Sequence, residues 1–255
     1  MNNPLTDPYI VLSKVYSEGA YLKQALASSP IEPLSRPRTS KICYGVLEKD
    51  VYLGHIIGAN CRKMPKSAVR LILKIALYML EFMGKHDYMV ADCAVELAKK
   101  LGKGGAAGFV NAFLRSYKVP QLPEQADERL SVVASVPLWL AKIIRRTYKA
   151  EAEVILNDRP LGVCVRFERN AEEYIARCDD DSNPPPVHTP FDNVYIFKHF
   201  VRDEGFFSGD YTFQSVGSVA ICAAICGGER LLDMCAAPGG KSVLLSKKFK
   251  EVTSC

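Results

Sequence analysis

The sequence predicts an α + α/β chain: an all-helical N-terminal part, a small α/β middle segment, and the opening of an incomplete doubly wound sheet. Three observations predict it. Across the first 120 residues apolar side chains recur at helical spacing, with no strand-like alternation. Alternation first appears at residues 161–167. Near the C-terminus an apolar run ends in a Gly/Pro-rich turn followed by a helical pattern, the strand–turn–helix order that begins a parallel α/β sheet.

The helices come first. Residues 9–27 place apolar side chains at 11, 12, 15, 16, 22 and 26, one helical stripe. Residues 68–83 are apolar on most sides, which predicts a central buried helix. Residues 90–101 form a further amphipathic helix that stops at Gly102. After a glycine-rich turn at 102–105, Phe109, Val110, Phe113, Leu114 and Tyr117 mark another. Pro120 and Pro123 mark a boundary, so the helical domain is expected to span 1–125.

Residues 126–204 are expected to hold a connecting helix and a small α/β segment. Pro137 opens a helix running to about residue 157. In the strand at 161–167, Val163, Val165 and Phe167 face one way, Cys164 and Arg166 the other. Residues 171–178 read as a helix and 194–200 as a second strand. Between them, the run of three aspartates at 179–181 and three prolines at 184–186 cannot be regular structure. From 205 to 255 the expected order is a helix over 211–225, a turn at Gly227-Gly228, a short buried strand over 230–234, the motif turn, and a helix over 243–249.

Bulk properties bound the function. The net charge is +5, unevenly placed: residues 1–125 hold 17 Lys/Arg against 10 Asp/Glu, and the remainder 16 against 18. A basic N-terminal part is compatible with a polyanion such as RNA and equally with a solvated surface. Arg36, Arg38 and Lys41, and Arg62, Lys63 and Lys66, make two basic clusters open to both readings. The nine cysteines form no Cys-x-x-Cys pair and stand beside no histidine at zinc spacing, so no metal is expected. Cys222 and Cys226, four apart, read as core thiols on one helix face. No basic-then-apolar leader opens the chain and charges interrupt its longest apolar run, so no membrane span is expected and a reducing cytoplasm is the natural compartment.

The most informative string is Leu231-Leu-Asp-Met-Cys-Ala-Ala-Pro-Gly-Gly-Lys-Ser242. A dinucleotide turn needs G-x-G-x-x-G, and only adjacent glycines stand here. A phosphate loop needs G-x-x-x-x-G-K-[ST]; Gly240, Lys241 and Ser242 supply its end, but Cys235 occupies the first glycine's place. What remains is S-adenosylmethionine, or a plain tight turn that binds nothing. A methionyl carboxylate needs backbone N–H groups and close approach; Ala236, Ala237, Gly239 and Gly240 allow it, Pro238 stiffens the turn, and Lys241 adds charge.

Residues 232–242 resemble, nearly letter for letter, the cofactor motif of the Sun/Fmu (Nol/Nop/Sun) family of RNA cytosine-C5 methyltransferases. Upstream, Glu204-Gly-Phe-Phe, Gln214 and Ser218 resemble the segment that precedes that motif, with Ser215 where the family usually has aspartate. Pro137-Leu-Trp-Leu resembles the family's segment after its N-terminal module, and within residues 36–118 Ile72-Leu-Lys-Ile-Ala-Leu-Tyr and Ala107-Gly-Phe-Val-Asn-Ala-Phe-Leu-Arg115 resemble the NusB-type RNA-binding helical domain. The resemblance covers almost the whole chain. It implies a Rossmann-like methyltransferase domain using S-adenosylmethionine, held by Cys235, Ala236, Ala237, Pro238, Gly239, Gly240 and Lys241, and acting on cytosine C5 in small-subunit (16S) ribosomal RNA.

Carbon 5 of cytosine is a poor nucleophile until a thiolate adds to C6. The family is similar in supplying two cysteines, in Pro-Cys and Thr-Cys motifs; this sequence contains neither dipeptide, so no catalytic residue is assigned. The acidic residue for the ribose hydroxyls would fall past residue 255, and a doubly wound sheet needs more strands than follow. The expectation is a truncated or partial, inactive form of the enzyme, with strand 230–236 left as an exposed edge. The alternative is a NusB-like RNA-binding or transcription antitermination module with no enzymatic activity. Oligomeric state leaves no mark in the sequence.

Overall fold

The structure, a computed structural model, describes residues 3–158, 162–178 and 184–255. They form two compact units, residues 1–158 and 159–255. The boundaries expected at 125 and 204 both fall inside these units.

The first unit is helical throughout: α1 (Thr6–Glu18), α2 (Leu22–Ser28), α3 (Arg36–Glu48), α4 (Asp50–Asn60), α5 (Ser67–Glu81), α6 (Asp87–Lys100), α7 (Ala107–Ser116), α8 (Ala126–Ala134), α9 (Leu138–Tyr148) and α10 (Ala152–Asn157). α5 is the central helix, with ten of its fifteen residues buried. Leu12, Ile42, Leu53, Val90 and Val110, from five other helices, close around it without solvent contact, each worth about 1.5–3 kcal/mol of burial. The one buried cation among the described residues of this unit, Lys74, pairs with Asp50, which also accepts the Tyr16 hydroxyl. Gly45 lets α3 approach α5: a Cβ there would stand 1.9 Å from the Tyr78 ring.

Two expected helices are broken. The stripe over 9–27 divides at Gly19, whose φ of 70° takes the left-handed region and ends α1. The helix expected over 137–157 divides at Lys149, with φ 49°. α8 joins the helical unit through Ser135, whose hydroxyl accepts the N–H groups of Val51 (3.1 Å) and Tyr52 (3.3 Å) at the start of α4.

The second unit contains β1 (Val163–Phe167), α11 (Ala171–Ala176), β2 (Val187–His188), β3 (Val194–Phe197), α12 (Glu204–Ser208), β4 (Tyr211–Phe213), α13 (Val216–Ala224), β5 (Gly228–Asp233), α14 (Gly240–Leu245) and β6 (Phe249–Ser254). An antiparallel sheet runs in the order β2-β3-β1-β4, with Val165 opposite Tyr195 on one side and Phe213 on the other. Its core is aromatic: the Phe167 ring lies 5.3–6.1 Å from those of Tyr174, Tyr195, Phe197, Phe200 and Tyr211. β5 and β6 form a separate parallel pair, Leu231 opposite Val252, joined through α14.

Four expectations need correction here. Residues 211–225 are not one helix: Tyr211 to Phe213 pair with β1 and fill the aromatic core, so tertiary packing overrides helical propensity, and the helix begins at Val216. The helix after the motif ends at Leu245, because Phe249 already opens β6. β5 is mostly exposed, with Leu232 57% accessible and Met234, just past its end, 74%, since β6 is its one hydrogen-bonded neighbour among the described residues. Cys222 is buried on α13, whereas Cys226 lies past its end and is exposed. Of the acidic and proline-rich run, 179–183 lie outside the described residues, and 184–186 carry no regular structure.

Candidate cofactor site

The motif turn joins β5 to α14 and is organised by a residue the sequence reading gave no role, Asp233. Its Oδ1 accepts the Cys235 N–H at 3.1 Å, its Oδ2 accepts the Ser242 hydroxyl at 2.7 Å, and its carbonyl accepts the Cys255 N–H at 3.0 Å. The carboxylate thus ties the entrance of the turn to the first helical residues beyond it. The Ser242 and Cys235 hydrogen bonds, with Lys241 nearby, hold the Asp233 carboxyl below its usual range.

Within the turn, the Gly239 N–H reaches the Ala236 carbonyl at 2.5 Å. Gly239 sits at φ 97°, a backbone region that favours glycine. A Cβ on Gly239 would meet nothing within 4 Å, and one on Gly240 only the Gln214 carboxamide, at 3.8 Å. The outer face of the turn is therefore open. Cys235, Ala237 and Pro238 are exposed, Gly239, Gly240 and Lys241 half-buried, and Ala236 turns inward. Of the seven residues singled out from sequence, Cys235 and Lys241 reach a common cleft, where Ile221, Cys222, Leu231 and Asp233 meet them. At about 290 Å³ it sits at the low end of small-ligand pockets, about 300–1,000 Å³. Lys241 makes no ion pair among the described residues.

Behind the turn lies a polar chain. The Gln214 side chain donates to the Gly240 carbonyl (3.2 Å) and accepts from Arg166 Nε (2.7 Å). Arg166 also pairs with Glu168, which pairs with Lys247. Burial pushes the Glu168 carboxyl up, but Lys247 and Arg166 outweigh it and the net direction is down. On the far side, Lys248 Nζ donates to the carbonyls of Cys222 (2.9 Å), Ala223 (2.9 Å) and Ile225 (3.0 Å), closing the C-terminal end of α13. Arg166 had a sequence signal, a lone charge inside an apolar strand; Lys248 had none. At the other end of α13, Ser215 accepts the Ser218 N–H at 3.3 Å. Serine and aspartate cap helices about equally well, so this departure from the family's usual aspartate preserves the cap.

Replacing Asp233 with asparagine is expected to lower the protection of the Cys235 amide against hydrogen exchange and to remove the acid dependence of that protection. Because the folded carboxyl titrates below the unfolded value near 3.9, its contribution is complete above that pH. It is lost as pH falls through the lower folded value. The protection factor at Cys235, its exchange relative to the unstructured-peptide rate at the same pH, should therefore be high at neutral pH in the parent chain and fall in acid below about pH 4. A flat acid profile in the parent would refute the clamp.

Comparison with known proteins defines first the class. Residues 10–118 match the NusB family. The chain is 28% identical over 247 residues to the probable ribosomal RNA small subunit methyltransferase B of Bacillus subtilis (strain 168), covering 90% of this chain and 55% of that protein. It is 27% identical over 261 residues to ribosomal RNA small subunit methyltransferase B of Xanthomonas campestris pv. campestris, covering 95% and 58%. The crystal structure of PH0851 shares the fold, with a TM-score of 0.64 at 18% identity over 98% of this chain and 63% of that one. The class is a NusB-fronted homologue of ribosomal RNA methyltransferases. The chain spans somewhat more than half the length of the curated relatives it matches. Among the described residues no helix is long and apolar enough to cross a membrane.

Proposed function

We propose that this chain supplies the RNA-binding helical unit and the first cofactor-binding element of a cytoplasmic, S-adenosylmethionine-dependent methyltransferase directed at cytosine C5 of small-subunit ribosomal RNA. The observation that carries the reading is the 231–242 string folded as strand, open turn and helix, with Lys241 free to meet an anion beside an apolar cleft. The names of the relatives support the substrate class.

The residues present fit the cofactor. A ligand with a carboxylate at one end and an apolar body needs an unobstructed turn, a cation, and an apolar wall. Gly239 and Gly240 leave the turn clear, Lys241 is the cation, and Ile221 and Leu231 line the wall. Cys235, Ala237, Pro238, Gly239, Gly240 and Lys241, with the backbone of Ala236, would hold it. When bound, the cofactor supplies the methyl group. Asp233, Gln214 and Arg166 act by keeping the turn in place. The thiolate attack on C6 has no candidate in Pro-Cys or Thr-Cys context in these 255 residues. That observation favours an RNA-binding module as the activity of this chain alone.

Calorimetry with S-adenosylmethionine, and transfer of labelled methyl to 16S ribosomal RNA, test the reading. The expected result is weak binding, reduced roughly tenfold or more in Lys241→Met, the loss of one charge-assisted contact, with no methyl incorporation. Enzyme-like incorporation would overturn the assignment of no nucleophile. Absence of any cofactor binding would overturn the cofactor site and leave the RNA-binding module.

A further inference from the structure

The helical unit brings together residues that the sequence keeps apart. Lys63 and Lys66, in the connection between α4 and α5, share one open cleft with Lys103 from the turn between α6 and α7, and with Phe109 on α7. All three lysines are exposed, none makes an ion pair among the described residues, and no acidic side chain lines the cleft. Phe109 is 42% accessible, and its ring is backed by Phe113 at 6.1 Å. Ser67 and Ala68 continue the cleft into a second depression that holds Tyr16 and Arg70. Cations therefore alternate with accessible rings along one surface.

Two alternatives weaken on this geometry. A merely solubilising surface has no reason to gather lysines from two distant connections around an aromatic ring while excluding carboxylates. A site for a small anion would enclose it, whereas this cleft is open and extends past both sides of the start of α5. Spaced cations track phosphates, and accessible rings accept unstacked bases. Duplex RNA hides its bases and would leave the rings unused.

We propose that the surface formed by Lys63, Lys66, Lys103 and Phe109, continued by Arg70 and Tyr16, is a binding track for single-stranded RNA. The proposal rests on RNA being this chain's partner and specifies where and in what form it is held. Of the two basic clusters seen in sequence, it selects the second. In the first, Arg36 is already engaged, donating to the Leu26 carbonyl at 3.2 Å.

The test measures binding of the full 255-residue chain to a fluorescein-labelled single-stranded RNA of about 12 nucleotides, within the range one such groove covers. Titration runs at salt concentrations between about 50 and 200 mM. Three phosphate contacts contribute about 2 to the slope of log affinity against log salt. K63Q/K66Q/K103Q should therefore flatten the slope by about that amount and weaken binding roughly tenfold or more at the lowest salt. Phe109→Ala should weaken binding about fivefold or more with the slope unchanged. A charge-matched control, K23Q/K41Q/K85Q, should leave the slope near that of the parent. Equal losses in the two triple variants, an unchanged slope in K63Q/K66Q/K103Q, or tighter binding to a hairpin duplex would overturn the track while leaving RNA as the partner. Failure of the parent chain to bind RNA, or displacement of RNA by polyglutamate at equal charge, would overturn the RNA reading itself. Cofactor calorimetry remains independent of every one of these outcomes.

Discussion

Arg166→Met is expected to destabilise the second unit by roughly 2–3 kcal/mol and to loosen the motif turn without touching it. The Arg166 side chain is 4% accessible and serves two acceptors, Gln214 and Glu168. Removing one partner of a buried ion pair costs about 3–5 kcal/mol; the expected loss falls at or just below that range because Glu168 is 27% accessible and water recovers part of its solvation. Methionine keeps much of the stem volume, which isolates the loss of charge. Thermal unfolding followed by near-UV circular dichroism, where the aromatic cluster around Phe167 reports, would show the drop. Lys247→Met, at the exposed end of the same chain of contacts, should cost well under about 1 kcal/mol. Equal effects from the two substitutions would refute the account.

Gly45→Ala is expected to lower the stability of the helical unit by about 1–3 kcal/mol, against the usual helical preference for alanine. Alanine in a helix gains about 1 kcal/mol over glycine. Here its methyl would stand 1.9 Å from the Tyr78 ring, and that ring is buried and stacked on Phe82 at 5.4 Å. Overpacking of such a core costs more than the propensity returns. Denaturant unfolding should show the midpoint falling in the single variant and largely recovering in G45A/Y78L, where the smaller side chain vacates the space. A single variant more stable than the parent would show that the ring moves freely.

The helical unit was largely legible because its signal is local. The apolar run over 68–83 can only be buried on most sides, and α5 is the helix around which the unit closes. The breaks were not legible: Gly19 and Lys149 interrupt stripes that stay helical in period, and only backbone geometry reveals the interruption. In the second unit the reading failed where long-range contacts decide. Tyr211, Thr212 and Phe213 carry no alternation long enough to announce a strand, and the partner that makes them one, β1, lies more than forty residues away.

The motif string named the turn but not what holds it. Asp233 was inside the string and passed over, since an aspartate before a turn is unremarkable until its carboxylate is seen clasping both flanks. Gln214 was noted by resemblance alone, and its contact with the Gly240 carbonyl supplies the physical reason. Arg166 and Lys248 belong to the site only through folding.

The turn from Asp233 to Ser242 is gripped from within by Asp233, from behind by Gln214, and α13 beside it is fastened by Lys248. A loop so anchored is expected to hold one shape. The cofactor proposed for this turn would meet a preformed surface on almost every encounter, and its affinity would carry little penalty for waiting on a rare conformer. Association should proceed at a rate set by diffusion and the charge on Lys241, with affinity differences among turn variants expressed in how long the ligand stays.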